Sequence, residues 1–206
     1  MAWTAPTTRA TGDLITAAIW NSNITDNLLW IGGAAGRGTS LPSSPVDGHL
    51  YDYLADATNG IVWRFRYNAG SASSYKWEFI GGAPLFAIID TQETAPITTY
   101  GDCATVGPSI VLPLAGDYDV TIGAQVYGSI GAAGKTAMSY AIGATAAAAA
   151  DEIMSQSSVA TDYHYLSRTK RKTGLTAVTL TAKYYYVTTV SQFANRTMMV
   201  LPVRVS

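Results

Sequence analysis

Three short strand-like segments, all within residues 47–82, constrain the fold of this chain most. Two Asp-Gly or Asn-Gly turn signals and a glycine- and serine-rich loop divide the stretch into strands at 50–54, 61–67 and 75–80. In the second and third strands the residues alternate, so that each strand has one aromatic face. That face consists mainly of Trp63, Phe65, Tyr75, Trp77 and Phe79. The pattern predicts a three-stranded β-meander.

A meander of this size is not expected to fold unaided, because domains below roughly 40 residues usually need disulfides, metal ions or partners. The stretch contains no cysteine and no cluster of metal ligands. We therefore expect its aromatic face to bury against a symmetry mate or against the following domain, with sugar stacking on Trp63 or Trp77 as the lesser alternative. Residues 47–84 are interpreted as a collar.

The sequence of residues 1–31 predicts an N-terminal arm and an attachment helix. Residues 1–13 are rich in Thr, Ala and Pro and predict an extended arm. From Thr16 onwards, apolar residues recur at spacings of three and four, which predicts an amphipathic helix of about four turns. Its apolar stripe consists of Ala17, Trp20, Ile24, Leu28 and Ile31. An isolated helix of this length is marginal in water, so the stripe needs other copies or a docking groove to cover it.

Residues 85–206 predict an all-β domain that follows the collar, and residues 32–46 predict a flexible linker before the collar. Apolar residues occupy every second position at 118–126 and again at 178–186. The same alternation closes the chain in Met199, Leu201, Val203 and Val205. Several strands with turn-rich connections are typical of an antiparallel jelly roll or β-sandwich. The predicted fold class is therefore mainly β, with a short N-terminal α-helix, a small meander and a C-terminal jelly-roll head.

The low charge of the chain limits the kinds of molecule that it is expected to bind. Charged residues make up 13% of the chain, against ~25% in ordinary soluble domains. A net charge of −1 argues against a general nucleic-acid binder or a polybasic membrane binder. No run of 18 apolar residues occurs, and the start lacks the pattern of a signal peptide. We expect proteins or glycans as partners, without nucleic acid and without membrane insertion.

No motif for catalysis is complete. Residues 128–136 resemble a phosphate-binding loop, but the first glycine is one position out of place, and the loop is expected to be a hairpin between two strands. No Gly-x-Ser-x-Gly elbow occurs, and Cys103, which has no nucleophile motif around it, is interpreted as a small core or interface residue. His49 and His164 are too far apart to predict a zinc site, and a structural role is favoured for both. The sequence predicts no catalytic residue, no cofactor, no metal and no enzyme activity.

One basic cluster, at residues 168–172, interrupts the neutral sequence. Strand alternation places Arg168, Lys170 and Lys172 on one face. We interpret that face as a solvated edge that discourages aggregation between sheets. Contact with an anionic cell-surface glycan is the functional alternative.

Residues 8–31 resemble the N-terminal segment of tail-associated virion proteins of siphoviruses and related prophages, of the minor tail or short fibre type. The matching positions are Gly12, Asp13, Ile15, Thr16, Ala17, Trp20, Asn21, Asp26, Asn27 and Leu28. The central LPSSPVDG and NGIVWRFRYNAGSASSYKWEFIGG are similar to a module in such proteins. Near the end, LSRTKRKTGLTAVTLTAKYYY and RTMMVLPVRVS resemble the last strands of trimeric jelly rolls of the tumour-necrosis-factor or C1q type.

The resemblance implies a homotrimer, an N-terminal helix that docks on other virion proteins of the tail, baseplate or capsid, and a distal β-head. The expected function is that of a bacteriophage virion structural protein, made in the host cytoplasm: a short tail or baseplate fibre whose head attaches to a host-surface glycan or protein. A capsid-mounted decoration fibre of the same build is one alternative. A stand-alone glycan-binding β-module is the other. The resemblance supplies no catalytic residues and no receptor-binding residues.

Overall fold

The computed structural model describes residues 16–20, 36–96, 99–127, 134–156, 163–187 and 191–206. The chain divides into two compact units. The first contains Met1–Ala72 and Trp77–Gly82, and the second contains Ser73–Lys76 and Ala83–Ser206. The described part of both units is mainly β-strand.

The first unit contains a meander. Its strands are β1 (Arg37–Gly38), β2 (Leu50–Asp56), β3 (Ile61–Tyr67) and β4 (Trp77–Gly82). Strands β2, β3 and β4 pair antiparallel in chain order, and the short β1 adds in parallel to β2. The turn between β2 and β3 forms because Gly60 adopts a φ of +67° and Asp56 accepts hydrogen bonds from the backbone of Thr58 and the side chain of Asn59.

The aromatic alternation of the meander produces a buried ring cluster. Trp63 and Phe65 are fully buried. Tyr53 stacks on Trp63 with 6.4 Å between ring centroids, and Phe65 meets Phe79 edge-on at 6.1 Å. Tyr53, Trp63 and Phe65 are buried within a single chain, so their burial does not require a second copy.

The structure corrects the predicted fold class at the N-terminus. The prediction of a helix of about four turns is wrong for the described residues, in which α1 (Ala17–Trp20) is one turn of four residues. Trp20 is exposed, and Ile24, Leu28 and Ile31 lie outside the described residues. Helical periodicity gives an apolar stripe but little stability of its own, since most helical stability in proteins comes from packing against a partner.

The described part of the second unit contains nine strands. They are β5 (Leu85–Ile89), β6 (Glu93–Thr94), β7 (Ser109–Val111), β8 (Gly116–Tyr127), β9 (Lys135–Ile142), β10 (Ile153–Ser155), β11 (Tyr163–Leu175), β12 (Thr179–Val187) and β13 (Gln192–Val205). A larger sheet has the order β13–β8–β11, with β5 and β6 pairing along the other side of β13. A smaller sheet has the order β10–β9–β12–β7. All these pairings are antiparallel, and the two sheets fit a β-sandwich.

Alternation along the long strands forms the sandwich core. β8 and β12 bury the residues that the sequence pattern placed on one face, including Tyr118, Ile122, Leu180 and Tyr184. The loop between β8 and β9 connects one sheet to the other, so the expected hairpin at 128–136 is wrong, although residues 128–133 lie outside the described residues. Lys135 begins a strand rather than a helix, which excludes the helix N-terminus that a phosphate-binding loop requires.

The last strand shows a second correction. The sequence pattern grouped Met199, Leu201, Val203 and Val205 on one apolar face, but the fully buried residues of β13 include Met198, Val200 and Val205. Met199, Leu201 and Val203 are only partly buried. A register shift between Pro202 and Arg204 changes the phase, which is how Val205 joins the core.

Candidate functional site

The larger sheet of the sandwich has an outer face that is open to solvent. Large exposed side chains on this face come from its two edge strands, Phe86 and Ile88 from β5 and Tyr163 and Tyr165 from β11. Tyr165 has the largest exposed fraction, 75%. Between them lie residues of β8 and β13 that are mostly small, hydroxyl-bearing or apolar, such as Thr121, Gly123, Thr197 and Met199.

The outer face of the larger sheet is nearly uncharged. Two ion pairs lie at one end: Arg171 makes two hydrogen bonds to the carboxylate of Asp119, at 2.9 and 2.8 Å, and Arg204 lies 3.5 Å from the carboxylate of Asp117. Because the charges within each pair neutralise each other, the face presents aromatic, amide and hydroxyl groups to a partner rather than net charge.

The outer face of the smaller sheet is different, because the chain covers the part of it that β9 forms. Ala137 and Ser139 of β9 are fully buried although they point away from the core. The Ser139 hydroxyl donates a 2.7 Å hydrogen bond to the backbone carbonyl of Ala148, which lies before a 3₁₀ turn at Ala149–Asp151. The two outer faces therefore differ: the smaller sheet has a covered central strand with Val111 and Met154 exposed beside it, and the larger sheet presents exposed aromatic side chains to a partner.

A shallow groove crosses the outer face of the larger sheet between β13, β8 and β11. Residues around it include Gly123, Gln125, Tyr165, Ser167, Asn195 and Thr197, and we use the word groove for this set. Asn195 Nδ2 donates to Gln125 Oε1 at 3.2 Å, which holds two side-chain amides together. Thr197 Oγ1 donates to the Gly123 carbonyl at 3.2 Å.

Two backbone features shape the groove. Asn195 has a φ of +49°, in the left-handed region, and occupies a register shift of β13 between Ala194 and Thr197. A bulge of this kind turns a side chain out of the regular alternation, and Asn195 is exposed. At the floor, a Cβ on Gly123 would lie 2.9 Å from Thr197 Oγ1, so glycine at this position lets the Thr197 hydroxyl approach the backbone closely.

The basic residues of β11 do not form the solvated edge that alternation predicted. Arg168 Nη1 donates to the Glu152 carbonyl at 3.0 Å, and Lys170 Nζ donates to the Ala150 carbonyl at 2.9 Å. Lys170 and Lys172 also form ion pairs with the two carboxylate oxygens of Asp151, at 2.8 and 2.7 Å. The three basic side chains therefore lie along one side of the sandwich, and each of them is hydrogen-bonded or ion-paired within the chain.

Asp151 is the acidic centre of this cluster, with an exposed fraction of 5%. Burial alone would raise the pKa of Asp151, but the hydrogen bonds from Lys170 and Lys172 outweigh it and lower the pKa below its usual value. Next to it, Lys135 forms a 2.6 Å ion pair with Glu152, which also accepts a hydrogen bond from the Tyr100 hydroxyl. We interpret the cluster as structural.

A second buried charge lies in the sandwich core. Arg196 is fully buried, pairs with Glu93 at 3.0 Å and lies over the Tyr184 ring, 5.3 Å from the centroid. Cys103 is buried in the same region, and burial raises the pKa of its thiol to about 11. A thiol of this kind is a poor nucleophile.

The residues predicted to form sites fall in separate places. Of the collar aromatics, Trp63, Phe65 and Trp77 are buried, whereas Tyr75 and Phe79 are half-buried. Tyr75 belongs to the second unit and precedes β4. His49 packs its ring against Trp77, with 5.7 Å between centroids.

The described residues offer few sites of other kinds. Within the described ranges, histidine, cysteine, aspartate and glutamate side chains do not gather in groups of three that would hold a metal ion. No α-helix in the described part of the chain could span a lipid bilayer.

The groove as a whole is not predictable from any local sequence pattern. Its residues come from three strands that are far apart in the chain, and its two amides are 70 positions apart. The one local signal is Asn195, because asparagine interrupts the apolar alternation of β13 and is among the residues that most readily adopt the left-handed region.

Comparisons with known proteins leave the family open. No protein-family model matches the chain, and a search of curated proteins gives no match. A weak structural neighbour is a chain from the structure of infectious bursal disease virus, Gx strain, with 9% sequence identity and a TM-score of 0.34. The alignment covers 80% of this chain and 53% of that chain, so the present chain spans about half the length of its neighbour. A likeness of this strength carries no argument about fold or function.

Proposed function

We propose that this protein is a structural component of a bacteriophage virion, a short tail or baseplate fibre whose β-sandwich attaches the particle to the host surface. The observation that carries the proposal is the contrast between the two sides of the sandwich. On the smaller sheet the chain covers β9 and leaves Val111 and Met154 exposed at its edges, whereas the larger sheet presents Phe86, Ile88, Tyr163 and Tyr165 to solvent. Aromatic and apolar side chains gathered on an exposed face are typical of a surface that meets a macromolecule.

The sequence supports the same function. Residues 8–31 and the central meander resemble tail-associated virion proteins, and the charged fraction of 13% suits a contact surface better than a freely dissolved monomer. We propose residues 1–31 as the segment that mounts the protein on other virion proteins. In this proposal the protein is made in the host cytoplasm and ends in the virion.

We propose a homotrimer as the assembled form. Phe86 and Ile88 lie on the β5 side of the outer face, beside the half-buried Met199. Their burial between copies would remove an apolar patch from water, which is the main favourable contribution to association. The β8 and β11 side of the face would remain available for the host.

A capsid-mounted decoration fibre of the same build differs from this proposal only in its mounting point. A stand-alone glycan-binding module differs in having no place on a particle. No observation favours either one over the tail fibre. We further propose that the protein is not an enzyme, and release of reducing sugar from a host polysaccharide would contradict this.

Cryo-electron microscopy of intact particles tests the function directly. We expect density for the β-sandwich at the tail tip or baseplate, with the segment of residues 1–31 against other virion proteins. Density on the capsid would instead support the decoration fibre. Purified particles that lack this protein altogether would contradict a structural role in the virion.

A truncation gives a second readout. We expect a variant without residues 1–31 to be produced as a folded protein but not to enter particles, whereas the full chain does. Equal incorporation of the two would contradict the assignment of the mounting segment.

A further inference from the structure

We propose that the groove between β13, β8 and β11 binds a neutral saccharide of the host surface. The inference rests on the proposed attachment function and deepens it by naming a site and a ligand class. Its basis is the combination, in one shallow groove, of an exposed aromatic ring, a hydrogen-bonded amide pair and hydroxyl groups.

The amide pair supplies the polar recognition. Because Asn195 Nδ2 donates one hydrogen to Gln125 Oε1, the pair retains the Asn195 carbonyl oxygen, the second Asn195 hydrogen and the Gln125 NH₂ group for a ligand. Both acceptors and donors are therefore offered side by side. A sugar hydroxyl is at once a donor and an acceptor, so neighbouring hydroxyls on a sugar ring match this arrangement.

Tyr165 supplies the apolar part of the site. It stands opposite Gln125 in the β8–β11 register and is 75% exposed, although it lies within a long strand. Pyranose rings have a face of C–H groups that packs on an aromatic ring while the hydroxyls at the rim form hydrogen bonds. Most binding sites combine apolar surface with a few placed polar groups in this way.

The floor of the groove carries hydroxyl groups. Thr197 Oγ1 lies over Gly123 and donates to its carbonyl, and Ser167, which is exposed, adds a second hydroxyl at the wall. The hydrogen bond between Asn195 and Gln125 restricts both side chains, which limits the entropy lost on binding.

The charge distribution selects a neutral ligand. Ionised side chains are missing from the groove itself, and the nearest row on the same face that carries charge holds the mutually paired Asp119 and Arg171. Arg168, Lys170 and Lys172 of β11 are engaged by Asp151 and by backbone carbonyls, on the other face of the strand. An anionic glycan would therefore find no free cation in the groove.

Saturation-transfer difference NMR on the full chain tests the proposal, because it detects weak binding to a shallow site. The probes are glucose, galactose, N-acetylglucosamine and their β-linked disaccharides, with sialic acid as the anionic comparison. We expect saturable transfer from at least one neutral sugar and none from sialic acid. Transfer from sialic acid alone, or from no sugar, would overturn the proposal.

Two variants locate the binding. Tyr165→Ala removes the ring, and Asn195→Gly removes the amide while keeping a residue that tolerates the positive φ. We expect each to weaken binding at least tenfold. The control is Val111→Ala, a change of an exposed residue of β7 on the smaller sheet, and it should bind within twofold of the wild type. If the control loses binding and the two variants keep it, the site is elsewhere.

Light scattering on the same variants separates the saccharide from a second copy of the chain. If Tyr165→Ala lowers the molar mass, the groove is part of a subunit interface and the proposal is overturned. Binding of the fluorescent full chain to host cells, measured in parallel, tests the attachment function alone. Cell binding without any neutral-sugar binding would overturn the groove proposal and leave the attachment function standing.

Discussion

At the scale of single residues, Asp151 is a buried carboxylate that pairs with two lysines. It is almost fully buried and holds Lys170 and Lys172 together. We expect Asp151→Asn to lower the free energy of unfolding by about 2–4 kcal/mol, because two partly buried ammonium groups would lose their counter-charge. Urea denaturation measures the change. The control is Asp102→Asn, whose exposed pair with Lys183 should contribute less than about 1 kcal/mol; equal effects would contradict the structural role of Asp151.

The same residue predicts a pH dependence. Its pKa is lowered in the folded protein, so its contribution to stability is present above the pKa of an unfolded aspartate, about 3.9. The contribution is lost as the pH falls through the lower folded value. We expect the difference in unfolding free energy between wild type and Asp151→Asn to be constant from pH 7 to 5 and to shrink below about pH 4. A difference that grows on acidification would contradict this assignment.

At the scale of elements, β13 tests how the sandwich is packed. Met198 is fully buried, whereas its neighbour Met199 lies on the outer face. We expect Met198→Ala to lower the free energy of unfolding by about 2–4 kcal/mol through lost packing and a cavity. Met199→Ala should cost below about 1 kcal/mol, since it leaves no enclosed cavity. Urea denaturation of the two variants at equal concentration compares them, and the reverse order would show that the strand has the other phase.

The same strand shows what the sequence can and cannot predict. Alternation located the cores of β8 and β12 because their other faces carry polar residues, such as Asp119 and Lys183. In β13 both faces are apolar, so alternation had no basis for choosing between Met198 and Met199. The pairing of Lys172 with Asp151 and of Asn195 with Gln125 joins distant residues, and no local pattern predicts such pairs.

At the scale of the whole molecule, the open outer face predicts self-association. We expect light scattering to give a mass near three times 21.8 kDa. The double variant Phe86→Ser with Ile88→Ser should shift the protein to monomer, because it removes the apolar patch that copies would bury. The double variant Thr179→Ser with Thr181→Ser on β12 of the smaller sheet is the control and should keep the wild-type mass. A clean monomer of the wild-type chain at micromolar concentration would contradict the trimer.

The segment of residues 148–152, which covers β9 of the smaller sheet, is held in a way that tolerates substitution. Three of its anchors, the carbonyls of Ala148, Ala150 and Glu152, belong to the main chain, and they accept hydrogen bonds from Ser139, Lys170 and Arg168. Every amino acid carries that carbonyl. The alanines from position 146 to position 150 can therefore be exchanged for other small residues without loss of these hydrogen bonds. A sequence library confined to these positions would vary the surface while the segment stays hydrogen-bonded to the sandwich.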